Sequence, residues 1–175
     1  MTTLPLHWAS ATAVPPYVCL RPVVAQDARA LHRGCYPELA YDEFGRRFGR
    51  SLQRQGHGRA VQLIAEDMRP ALPEIIGTAH LWRYVNVSEL ADVLVAEAWR
   101  GQGIGTALIM TLTTHAAVSG WMPLEIGVEA DNAGALRLYQ RLGFAFDREL
   151  RLAAGKTAYM LRMEAFAATE PPSFK

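Results

Sequence analysis

Residues 100–105 read Arg-Gly-Gln-Gly-Ile-Gly, and this run carries the most specific chemistry in the chain. Three glycines among six residues open backbone conformations closed to residues with a Cβ, and they let a ligand approach the main chain. Ile104, Ala107, Leu108, Thr111 and Leu112 follow with the spacing of a helix that buries one face. A glycine-rich turn that opens a helix aims unpaired N–H groups and the positive end of the helix dipole at one spot. That arrangement binds phosphate. No Lys follows Gly105, so the turn is not a P-loop. A dinucleotide fingerprint would need glycine at Thr106, and it would sit in the first strand–helix unit rather than a hundred residues in.

A second pattern follows at Asp131–Phe144. Asn132, Ala135, Tyr139, Gly143 and Phe144 stand at the intervals Asn…Ala-x-x-x-Tyr-x-x-x-Gly-Phe. Together with Arg100, Gly103 and Gly105, which fit Arg/Gln-x-x-Gly-x-Gly/Ala, this order resembles the acetyl-CoA-dependent N-acetyltransferase (GNAT) superfamily. In element order the resemblance runs over residues 17–165, with its specific motifs confined to Val93–Phe144.

The resemblance implies transfer of an acetyl group from acetyl-CoA to a primary amine, by direct attack in a ternary complex. Neither Cys19 nor Cys35 lies within the cofactor motifs, so no acyl-carrying nucleophile stands out. Backbone amides of Gly101, Gln102, Gly103, Ile104, Gly105 and Thr106 would grip the CoA phosphates, with Arg100 supporting either the loop or a phosphate. Val93, Leu94 and Val95 would offer main-chain groups to the pantetheine arm, one N–H facing the thioester oxygen. Asn132 would bond the same arm or simply cap its helix.

An amine with a pKa near 10.4 is neutral about once in 2,500 molecules at pH 7, a cost of roughly 4–5 kcal/mol. A carboxylate acting directly or through water relieves it. Glu89, eleven residues before Arg100, is the first candidate by resemblance; Asp92, on the opposite strand face if no bulge intervenes, is the second, and a water chain the third. Tyr139, a phenol that stays protonated at pH 7, would hand a proton to the departing thiolate. A non-catalytic acyl-CoA-binding module on the same fold is the alternative. The acceptor, a small molecule or a peptide amine, is not legible, and a homodimer is left open.

The elements that must position these residues follow from periodicity. Strands are expected at Tyr17–Arg21, Val61–Ala65, Glu74–Tyr84, Glu89–Val95 and Leu124–Val128, with a closing hairpin from Phe144–Leu152 and Thr157–Met163. Helices are expected at Ala25–Arg33, Tyr41–Gln55, Ile104–Val118 and after a cap at Asn132 or Asp131, the last ended by Gly143. The fold class is α/β, a mixed, mostly antiparallel twisted sheet flanked by helices. The resemblance adds that its central strands splay to hold the cofactor.

The division reads as an arm at 1–16, one transferase domain at 17–165 and a tail at 166–175. The chain has 175 residues, 50% hydrophobic, with a net charge of +1, so nothing in its charge points to nucleic acid or an anionic membrane. No signal peptide or membrane span is apparent, Cys19 fits a buried reduced thiol, and together these suggest the cytoplasm. His57, His80 and His115 have no metal-ligand spacing, and no metal is expected. Arg46, Arg50 and Arg54 read as a solvated helix stripe, and Trp82 and Tyr84 as acceptor-pocket walls.

Overall fold

In a computed structural model, residues 14–69 and 73–165 are described; most of the expected arm, the tail and Pro70–Leu72 lie outside them. Seven strands form one sheet: β1 (Val18–Pro22), β2 (Ala60–Asp67), β3 (Glu74–Arg83), β4 (Ser88–Val95), β5 (Leu124–Glu129), β6 (Ala145–Arg151) and β7 (Thr157–Met163). Their order is β1-β2-β3-β4-β5-β7-β6, with every pair antiparallel except β4 and β5. Among the described residues four α-helices flank it: α1 (Ala28–Cys35), α2 (Tyr41–Gly56), α3 (Ile104–Val118) and α4 (Ala133–Arg141).

Strand alternation divides the core between the two faces. On one face, Leu63, Leu81 and Leu90 pack with Ile104, Leu108 and Leu112 of α3 and with Tyr139 and Phe144 from the end of the chain. On the other, Ile64 and Ile75 pack with Leu31 of α1 and with Phe44 and Phe48 of α2. This second face also carries a polar chain, in which Ser51 donates to Gln62 at 3.0 Å and Gln62 donates to Thr78 at 3.2 Å.

Gly77 sets the seat of α3. A Cβ there would lie 3.1 Å from the Leu94 carbonyl oxygen and 3.2 Å from Ile104 Cγ2, so even one methyl would require β4 or the first turn of the helix to give by a few tenths of an ångström. At the far end, α4 closes as a Schellman motif. The Phe144 N–H donates to the Tyr139 carbonyl and the Gly143 N–H to Gln140, both at 3.1 Å, with Gly143 at φ +95.

One expectation about a single residue fails. Cys19 is exposed rather than buried, because β1 is an edge strand and this residue faces away from the packed side. Val14, within the span read as an arm, packs against the larger core.

Candidate functional site

The Gly-rich run becomes a turn with two left-handed residues, Gly101 at φ +77 and Gly103 at φ +81. Gly103 is the N-cap of α3, and no side chain caps the helix. The first backbone donor used within it is Ala107, which bonds back to Gly103 at 2.9 Å. Among the described residues no carbonyl or side chain takes up the N–H groups of Ile104, Gly105 or Thr106. These are the orphan donors of a helix start, and they suit the oxygens of a phosphate. Arg100 turns back to the loop, its Nε donating to the Val95 carbonyl at 3.2 Å, and Gln102 donates to Ala98 at 3.3 Å. Both side chains brace the turn from within.

A gap lies beside the loop. β4 and β5 pair in parallel only at Ser88–Leu124, Glu89–Glu125 and Leu90–Ile126, yet β4 continues to Val95 and β5 to Glu129. Beyond Leu90 the strands part, leaving the backbone edge of Ala91–Val95 facing Gly127–Glu129 without a ladder between them. Main-chain edges along an opening that ends at free helix amides fit a long ligand with amide groups and a pyrophosphate, as CoA has.

β4 also bulges. Thr78 pairs with Leu94 and His80 with Ala91, so Asp92 and Val93 together face Ala79 alone. Asp92 takes φ +48. The expectation that Asp92 lies on the opposite face from Glu89 is therefore corrected, because the extra residue turns its side chain toward His80, 3.5 Å away.

Asp92 and His80 line a cavity of about 60 Å³ on the α2 side, walled by Tyr36, Leu39, Phe44, Phe48 and Trp82, with Arg47 and Gln62 at its polar edges. Burial pushes the Tyr36 phenol well above its usual range, and the nearby Asp92 charge adds to this against the pull of Arg47. Arg47 pairs with Glu43 one turn earlier on the helix.

Glu89 pairs across from Trp82 on β3 and Glu125 on β5 and, unlike Asp92, does not line the cavity. Its neighbours are Tyr84 and Arg54, and the Tyr84 phenol is raised by burial and then by Glu89. Arg54 stacks over Trp82 and Tyr84 at 4.9 and 5.3 Å, so it departs from the expected solvated stripe. Trp82 is a cavity wall, whereas Tyr84 is exposed on the far side of Arg54.

Tyr139 is buried on the opposite face, edge-on to Phe144 at 6.4 Å, in the cluster against which Val93 and Val95 pack. Burial alone raises its phenol, with no hydrogen bond contributing. Asn132 spends its side-chain oxygen on the Ala135 N–H at 3.1 Å, as an N-cap does, and its amide donors remain outward. His115 is half-buried and edge-on to Trp121 at 5.2 Å. Among the described residues no three His, Cys, Asp or Glu stand together as a metal-holding group.

Sequence reasoning passed over His80 as a strand residue without a partner and left the cavity undrawn. The one available signal was an Asp within a strand pattern, a residue type that tolerates left-handed backbone.

The chain matches the profile of the acetyltransferase (GNAT) family over residues 25–144. It is 41% identical over 58 residues to an uncharacterized N-acetyltransferase of Methanocaldococcus jannaschii, covering 33% of this chain and 26% of that protein. An L-2,4-diaminobutyric acid acetyltransferase of Nocardia farcinica is 30% identical over 117 residues, 66% of this chain and 53% of the relative. These matches thus span between a quarter and about half of the relatives' lengths.

Among solved structures, the fold is shared with an acetyl transferase from Salmonella typhimurium that modifies the N-terminal serine of ribosomal protein L7/L12. There the TM-score is 0.72 at 16% identity, over 88% of this chain and 98% of that one. The ribosomal-protein-S18-alanine N-acetyltransferase from Escherichia coli gives 0.67 at 20%, over 90% and 99%.

Proposed function

Since this chain belongs to the GNAT acetyltransferase family, we propose that it transfers an acetyl group from acetyl-CoA to a primary amine of a small molecule or peptide, by direct attack in a ternary complex. The observation that carries this reading is the parting of β4 and β5 beyond Leu90 and Ile126, beside the free N–H groups of Ile104–Thr106. Acetyl-CoA supplies an activated thioester whose carbonyl accepts the nucleophile.

In this reading the amides of Gly101 to Thr106 bind the pyrophosphate, and the helix dipole adds to the attraction. Arg100 and Gln102 hold the turn in shape through the Val95 and Ala98 carbonyls. The free edge of Val93–Val95 aligns the pantetheine arm, and an N–H at the bulge meets the oxygen as negative charge grows there. Asn132 directs its unused amide donors toward the same arm.

The acceptor enters from the α2 side, where aromatic walls and the Asp92 carboxylate suit an ammonium group. Proton removal, offered by the sequence to Glu89, Asp92 or water, goes in this account to Asp92. It lines the cavity, while Glu89 sits at the closed end of the β4–β5 pair beside Tyr84. Tyr139 approaches from the α3 side of the sheet and protonates the departing thiolate, its phenol kept protonated by burial. The two unpaired cysteines are compatible with a reducing cytoplasm as the place of action.

Initial rates with acetyl-CoA and an accepted amine varied together should give intersecting double-reciprocal lines. Parallel lines would mean an acyl-enzyme and would contradict direct attack.

A further inference from the structure

Three uncommon features meet in the cavity under α2. Asp92 is the one non-glycine residue with positive φ among those described, and an Asp held there needs surrounding structure to keep it. His80 Nδ1 is fully buried without a hydrogen-bond partner, 3.5 Å from Asp92 Oδ2. The His80 ring lies flat on Trp82, 4.9 Å between centroids and 10° between planes, so the ring edge that carries Nδ1 is aimed rather than free.

A buried nitrogen facing a carboxylate is accounted for if it carries a proton and the carboxylate moves to meet it. The imidazole must be neutral for this to leave Asp92 useful. Burial pulls His80 down to about 4, with the Asp92 charge opposing only in part, so the imidazole adds no positive charge to the cavity at neutral pH. The other groups facing it are the Tyr36 phenol, which burial keeps protonated, and the Arg47 guanidinium on α2. A cavity with aromatic walls and one uncancelled carboxylate selects a cation.

We propose that His80, as its Nδ1–H tautomer, is a positioning residue that holds the Asp92 carboxylate where it accepts the proton of the acceptor ammonium. The inference rests on the transferase reading above. The ammonium N–H bond breaks to the Asp92 oxygen, the nitrogen keeps the electron pair for attack, and His80 keeps its own proton throughout. Asp92, then a carboxylic acid, returns its proton to water after product leaves; the second proton, shed by the nitrogen as the C–S bond breaks and the amide forms, passes through water and restores the phenol that Tyr139 spends on the thiolate. The 3.5 Å separation closes to a hydrogen bond when the acceptor fills the cavity and displaces water.

The test uses His80→Phe, His80→Asn, His80→Gln and Asp92→Asn in the full chain. Phe keeps the stack on Trp82 and removes the donor; the Asn amide nitrogen falls near Nδ1, that of Gln near Nε2. Histidine-selective 15N spectra of the wild-type protein at pH 7 should show His80 as the Nδ1–H tautomer. CoA release is then followed with putrescine, L-lysine and a peptide bearing a free N-terminus.

In His80→Phe, kcat/KM for the accepted amine should fall by roughly tenfold or more. Its acidic limb should move to higher pH, because the carboxylate loses a donor to its charged form. CoA affinity should hold. His80→Asn should recover most of the loss and His80→Gln should not. An Nε2–H tautomer in the wild type would overturn the inference whatever the kinetics. So would retention of kcat/KM within about threefold in His80→Phe, or equal loss in Asn and Phe with an unmoved limb. A folded wild type that binds CoA but acetylates none of the amines would count against the transferase reading, and the tautomer would still decide the His80–Asp92 contact.

Discussion

Gly103 and Gly105 stand two residues apart in the same motif for different physical reasons. Gly103 is the left-handed N-cap of α3, a conformation that costs an ordinary L-residue roughly 1–2 kcal/mol and a β-branched one more. Gly105 is helical, and a Cβ there would meet only Val95 Cγ2 at an ordinary 3.6 Å. Gly103→Val should therefore weaken CoA binding by about tenfold or more, roughly 1.4 kcal/mol. Gly105→Ala should leave CoA affinity near wild type and raise the melting temperature through helix propensity. Titration calorimetry on the two variants checks this, and equal CoA affinity in both would remove the loop from the phosphate site.

Tyr139 is a question at the same scale. Among the described residues nothing hydrogen-bonds its phenol, so the Tyr139→Phe variant should melt and bind CoA close to wild type. If the phenol is the acid, kcat should fall by about 10²–10⁴. Survival of kcat within about threefold, with chemistry rate-limiting, would make Tyr139 a packing residue only.

At the scale of elements, the β5–β7–β6 end of the sheet is tied by charge. Glu125 accepts from Arg148 Nη2 at 2.8 Å and from Arg162 Nη1 at 3.0 Å, crossing three strands. Arg148, and after it Arg162, holds the Glu125 carboxyl below its ordinary 4.5 despite burial. A depressed carboxylate contributes stability that is present above its unfolded pKa and is lost as pH falls through the folded value. Urea midpoints should thus drop as the pH is lowered below about 4.5, and Glu125→Gln should flatten part of that fall. An unchanged slope would show that the ladder adds nothing to folding.

Elements also mark what could be read from the sequence. The α3 bounds, Ile104–Val118, and the Gly143 stop follow from local signals, and of the two caps those signals offered, Asn132 and Asp131, the structure uses Asn132. Local signals suffice because caps and periodicity act within one turn or two. The bulge on β4 depends on register against β3, a separate strand that no local window of sequence includes, and it re-aimed Asp92 and hid the cavity. Cys19 failed similarly, since alternation tells that a strand has two faces and leaves open which of them an edge strand covers.

Across the whole molecule, the two faces of the sheet divide the tasks in this account. The α3 side holds Tyr139 and the Gly-rich turn, the α1–α2 side holds the cavity with Asp92 and His80, and a ligand in the opening between β4 and β5 would be reached from both. An acyl donor laid in that opening would meet an amine from across the sheet. A site built this way predicts dependence on both substrates at once, with binding of CoA alone supported by the α3 side.

The central claim is that the opening serves transfer and not mere storage of an acyl-CoA. The most direct measurement is thiol release from acetyl-CoA by the purified full chain, with and without each member of an amine panel, with acetylated product identified by mass. The account predicts that at least one primary amine raises release about tenfold or more over the amine-free rate, with one acetyl group on the amine for each CoA freed. Tight CoA binding with release that no amine accelerates would contradict it, and would describe a non-catalytic acyl-CoA-binding module on the same fold.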